Sequence, residues 1–119
     1  KLGDILASAK QVGAVKLIST KLSDMQLDAA RALADDIKAN HADTVAVLAV
    51  AAADKLNFIA VAGKDAVAAG AHAGNILREV AAICGGKGGG RPDSAMGGGR
   101  DIDKIPEALL KAEEILANI

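Results

Sequence analysis

The chain has 119 residues and 51 % apolar composition, enough for one compact domain and too apolar for a disordered chain. Phe58 is the only aromatic residue, which excludes aromatic stacking platforms and amine cages, and one cysteine with two histidines excludes an internal disulfide and makes a poor metal set. A formal charge of −1 and a pI of about 6.1 exclude a global positive field, so any polyanion contact must come from a local patch.

Residues 1–11 place Leu2, Ile5, Leu6 and Ala9 on one helical face, which predicts the tail of a longer helix stopped by Gly13. The chain opens at Lys1 without an initiator methionine, and the expectation is a domain cut from something longer. Residues 14–20 predict a strand with Val15 and Leu17 on one side and Lys16 and Ile18 on the other. Ser23 and Gln26 fit a capping box. The helix it opens carries Leu27, Ala30, Ala34 and Ile37 inward and ends near Asn40 and His41. Residues 44–53 form an unbroken valine-rich run, read as a strand covered on both faces. A break at Asp54 and Lys55 and the run 56–61 predict an antiparallel partner ended by Gly63. Residues 64–73 read as a turn of helix and a loop, and 75–84 as a helix with Ile76, Val80 and Ile83 inward. Near the end, Asp103 is expected to cap a last helix with Pro106 in its first turn, where a missing N–H costs little. Ile105, Leu109, Ala112, Leu116 and Ile119 make that helix's apolar stripe. The pattern gives about three strands and four helices. No segment is apolar enough to span a bilayer, and no signal peptide is visible.

Residues 85–99 read GGKGGGRPDSAMGGG and hold most of the chain's 13 glycines. Ordering glycine in regular structure costs about 0.5–1 kcal/mol relative to alanine, so the segment needs a reason. A flexible linker is one, but the segment leads into one more helix of the same domain, and long structureless loops inside compact domains are uncommon. Bare backbone can also bring N–H groups against phosphate or ribose oxygens. Between Lys87 and Arg100 the segment carries three basic residues against Asp93 alone. A P-loop is excluded, because Lys87 is followed by Gly88 and the position six before it is Ala81. The dinucleotide fingerprint is excluded too, since it joins a strand to a helix N-terminus, whereas this segment comes after a helix C-terminus. The negative end of that helix dipole would repel phosphate unless Lys87 and Arg91 supply the positive charge. The expectation is a mobile, basic glycine loop.

From His72-Ala73-Gly74 through CGGKGGGRPDSAMGGGRD, the sequence closely resembles the C-terminal domain of bacterial alanyl-tRNA synthetases, of the DHH-associated family also found at the end of DHH phosphoesterases. The resemblance implies an α/β (α+β) fold with a small mixed sheet of three to five strands and flanking helices. Residues 1–13 would end a helical dimerisation subdomain, and 14–119 would form the globular tRNA-binding domain. It implies a non-catalytic module that grips the outer corner of tRNA in a cytoplasmic alanine–tRNA ligase and aids aminoacylation and editing. ATP with magnesium, and zinc, would belong to the parent's other domains, and a homodimer would form through the preceding helices. The family's glycine pattern falls on Gly85, Gly86, Gly88, Gly89, Gly90, Gly97, Gly98 and Gly99, and its basic contacts on Lys64, Lys87 and Arg91, with His72 beside them. The phosphoesterase branch carries histidine after the glycine run; here Gly90 is followed by Arg91 and Pro92.

The candidate nucleic-acid contacts are therefore Lys64, His72, Arg78, Lys87, Gly88, Gly89, Gly90, Arg91 and Gly98. Glycine neighbours leave the heads of Lys87 and Arg91 free to reach phosphate. A lone histidine such as His72 is more often a helix-end or packing residue, and Arg78 reads equally as part of a solvated face beside Glu79. Cys84, on the inward side of its helix, reads as a buried inert thiol. Two other functions fit: the substrate-gripping half of a phosphoesterase, and a dimerisation module built on the apolar face of residues 1–11.

Overall fold

The valine–alanine run becomes the centre of the molecule. In the computed structural model, which describes residues 2–119 and not the side chain of Leu2, Thr44–Ala52 is strand β3. It pairs in parallel with β2 (Val15–Leu22) and antiparallel with β4 (Lys55–Ala62). The crossover from β2 to β3 is helix α2 (Leu27–Asn40). The β3–β4 turn passes through Ala53, which takes a positive φ of 54°. Residues Thr44 to Val50 are all buried, as continuous hydrophobicity requires of a strand covered on both sides.

Two apolar layers cover the sheet. Val45, Val47 and Ala49 of β3, with Phe58 and Ala60 of β4, face helices α4 (Ala73–Ile83) and α5 (Ile105–Ala117). Ala46, Leu48 and Val50, with Ile59 and Val61, face Ala30, Ala34 and Ile37 of α2. Short helix α3 (Lys64–Ala68) comes after β4, and its Asp65 and Ala66 N–H groups donate to the Ala42 carbonyl. Pro106 sits in the first turn of α5, as its sequence position predicts.

The structure corrects the sequence reading in four places. The sheet has six strands rather than three to five, in the order β1-β2-β3-β4-β6-β5. The glycine segment is no loop: β5 (Lys87–Gly90) and β6 (Ser94–Gly99) form a hairpin whose β6 pairs with β4. At the other edge, helix α1 ends early (Leu2–Ala7), and Lys10–Val12 becomes β1, antiparallel to β2. Lys1 lies outside the described residues, but Ile5, Leu6 and Ala9 pack against the α2 layer, so their apolar face is partnered within the chain. Neither expected cap forms. Helix α2 starts after Gln26, and a 3-10 turn (Ile102–Lys104) leads into α5, with no side-chain cap bond at either start.

Candidate nucleic-acid interface

Side chains alternate across the glycine hairpin, so its residues sort onto two faces. Gly88 and Gly97 turn toward α4. A Cβ on either would strike the Leu77 methyl and opposing backbone, at 2.7 Å from the partner glycine's Cα. Gly74 of α4 has the same constraint, because a Cβ there would collide with the Gly90 carbonyl. Gly74 thus lets helix and hairpin touch backbone to backbone, while Gly88 and Gly97 make room for the Leu77 side chain against the paired strands.

The opposite face is different. A methyl on Gly89 would meet nothing within 4 Å, and one on Gly98 would meet only the Leu56 carbonyl oxygen at 3.4 Å, an ordinary contact. Neither residue has a positive φ. Helix α2 lies over β3 and β4, leaving Gly89 and Arg91 exposed and Gly98, Met96 and Ser94 half-exposed on the hairpin beside it. Leu27, Arg31 and Lys38 fall within about 40° of one another around α2, so its exposed flank sets two cations along this open strip.

One end of the strip opens into a cleft of about 640 Å³ between α2, α3 and the hairpin turn, lined by Lys38, Lys64 and Arg91 over an apolar base that includes Ala62 and Val67. Among the lining residues a single carboxylate answers the three cations. Asp93 Oδ2 lies 3.4 Å from Lys38 Nζ, and its Oδ1 lies 3.6 Å from Arg91 Nε. Such solvent-exposed pairs contribute little and are readily exchanged for a phosphate. Lys38 is an addition to the sequence-predicted set: its position on α2 shows no signal until the hairpin turn is brought against it. Lys87 stands at the far end of β5 from Arg91, about 13 Å away at strand rise, so the two do not form one patch. They bracket the strip.

Other predicted contacts lie elsewhere. His72 is the N-cap of α4, and its Nδ1 accepts the Asn75 N–H at 3.0 Å. Arg78 is exposed on α4, across the sheet from the open strip. The remaining α4 termini are tied to the hairpin. Ala73 and Gly74 N–H donate to the Pro92 and Arg91 carbonyls at 2.7 and 3.0 Å, so that helix start holds no anion. At the other end, the positive φ of Gly85 lets Gly86 N–H reach the Ala81 carbonyl, closing the helix as Schellman turns do. Arg100 and Asp101 N–H bind the Cys84 carbonyl. The Cys84 side chain is buried, and burial followed by the charges of Asp101 and Glu107 pushes its thiol pKa up, as befits an inert residue. Among the described residues, no group of three His, Cys, Asp or Glu side chains could hold a metal ion, and no helix is long and apolar enough to cross a membrane.

Residues 14–118 match the DHHA1 domain family. The chain belongs to that family. This DHHA1 domain is 46 % identical over 116 residues to the alanine–tRNA ligase of Alkaliphilus oremlandii and 42 % identical over 118 residues to that of Natranaerobius thermophilus. These matches cover 98 % and 99 % of this chain but only 13 % of either relative's length. The crystal structure of the C-Ala domain from Aquifex aeolicus alanyl-tRNA synthetase superposes with a TM-score of 0.83 at 33 % identity, covering 92 % of this chain and 97 % of that one. The DHHA1 domain is thus of the C-Ala type. A DHH-domain member of the s1p family of ribosomal proteins shares the fold, with a TM-score of 0.65 at 13 % identity over 99 % of this chain and 30 % of that one.

Proposed function

We propose that this C-Ala-type domain is the tRNA-gripping module of a cytoplasmic alanine–tRNA ligase. It holds the outer corner of tRNA and helps present one substrate to the aminoacylation and editing sites. The observation that carries the reading is the helix-free glycine strip bracketed by Lys87 and Arg91, in a domain with the C-Ala fold. The module itself performs no chemistry; ATP with magnesium, and zinc, act in other domains of the parent, which also pairs with a second copy through helices preceding this domain.

Recognition is by backbone and shape. With Phe58 buried and no other aromatic residue, bases have no ring to stack on. Lys38, Lys64 and Arg91 engage one phosphate group, Lys87 engages another, and Gly89 and Gly98 allow the sugar–phosphate chain to lie close between them. Two or three neutralised phosphates predict a log–log salt slope of about −1.5 to −2.5. The test is binding of an alanine-accepting tRNA transcript across a salt series. Replacing Lys87 and Arg91 together by alanine should reduce affinity and flatten the slope by about 1, since Lys38 and Lys64 still face the other phosphate. Equal binding before and after that change refutes the reading.

A further inference from the structure

At the Lys87 end of the strip, the sheet register builds a second recess. Asn57 of β4 pairs with Gly98 of β6, which pairs with Lys87 of β5, so one cross-strand row reads Asn57, Gly98, Lys87 on the face carrying α2. Because Gly98 contributes no side chain, a trough one strand wide separates the amide from the ammonium. On its other side Asn57 borders a cavity of about 440 Å³, lined also by Gln26, Lys55, Leu27 and Val50. That volume is within the range of small-ligand clefts.

The polar groups here have no internal work. Gln26 holds the N-cap position of α2 without making a cap bond. Among the described residues, no hydrogen bond or ion pair engages the side chains of Gln26, Lys55, Asn57 or Lys87. Asn57 is half-buried on a strand whose next inward positions on that face, Ile59 and Val61, are apolar. An apolar side chain would extend that pattern; instead the Asn57 carboxamide borders the cavity with no hydrogen-bond partner among the described residues. Primary amides offer a paired donor and acceptor, the pattern that matches a nucleobase edge; the two lysines match phosphate.

We infer that Asn57 and Gln26, flanked by Lys55 and Lys87 across the bare Gly98, form a second RNA subsite that reads the edge of one unstacked base. This rests on the proposed tRNA-binding role and adds sequence selectivity to it. Unstacked bases of RNA loops present such edges, whereas paired stems do not.

The test uses this chain, an alanine-accepting tRNA transcript, and a panel in which each loop nucleotide of the outer corner is changed singly, with affinity read by fluorescence anisotropy. Asn57→Ala and Gln26→Ala should each weaken binding to the unaltered transcript about tenfold. Both should erase the discrimination at one nucleotide and leave the salt slope as it was. Gln26 is exposed, so its variant keeps the test alive if Asn57→Ala fails to fold. Gly98→Ala fills the trough and should weaken binding with the melting temperature unchanged. The inference is overturned if the folded Asn57 and Gln26 variants keep every affinity within about twofold, or if the unaltered chain binds all loop variants equally. Failure of the tRNA-binding role itself looks different: no transcript binds, or the Lys87 and Arg91 double variant binds as well as the unaltered chain.

Discussion

The β3–β4 hairpin and the β5–β6 hairpin belong to one sheet and are built on opposite terms. The first is rich in valine, alanine, leucine, isoleucine and phenylalanine, buried on both faces, and its side chains fix its register. A one-residue slip there would exchange its two apolar layers. The second has only Ala95 and Met96 as apolar side chains, and its order comes from the backbone ladder, from β4 on one side, and from a helix close enough to forbid Cβ atoms. Burial makes the first hairpin a core. Bareness lets the second be held by α4 on one face while the other stays open to a ligand.

The two designs fail differently, and the largest effects come from attacking each by its own means. Phe58→Ala, which empties the centre of the first hairpin, should cost about 3–5 kcal/mol. Gly88→Val, which adds atoms to the second, should cost about 3 kcal/mol, because Leu77 and the β6 backbone both obstruct it. Thermal or urea unfolding measures both; a Gly88→Val protein as stable as its parent would mean that α4 does not press on the hairpin. A sharper form is a double-mutant cycle. Leu77→Ala removes the obstructing methyl, so its loss and that of Gly88→Ala should add to less than their sum by about 1 kcal/mol.

A smaller effect separates the edge of the second hairpin from its surface. Cys84, beside Gly99, has its thiol pKa raised above the ordinary 9.0 by burial and neighbouring acids. The unfolded chain therefore releases this proton first as pH rises. Stability from this source is whole below about pH 9 and is lost as pH climbs toward the folded value. Unfolding at about pH 8 and about pH 10 should show a steeper decline for the native protein than for Cys84→Ala. The smallest effect belongs to the open face: Gly89→Ala should change stability by no more than about 0.5 kcal/mol in either direction, a direct contrast with Gly88 one residue away.

Much of this was legible in the residues. The uninterrupted 44–53 run could only be a doubly covered strand, the stripe at Leu27, Ala30, Ala34 and Ile37 could only be one side of a helix, and GGGRP with its flanks carried the family. What escaped has a common cause. Strand prediction reads side chains, and β5 has one in four residues, so its pairing was invisible without β4 and β6 beside it. Lys10–Val12 is too short for a period to register. Lys38 gained its role only when Asp93 arrived from 55 positions away in the chain. The sorting of the glycines, some demanded by Leu77 and some by nothing inside the molecule, needed coordinates, because composition treats all glycines alike.

Helix α4 is fastened to the hairpin at both of its termini, through Ala73 and Gly74 at one and the Cys84 carbonyl at the other. A bracket closed at two points cannot hinge. In hydrogen–deuterium exchange, the amides of residues 73, 74, 100 and 101 should therefore open as one cooperative unit. A force applied by RNA to the glycine strands would be borne by the whole helix rather than relaxed by a local swing.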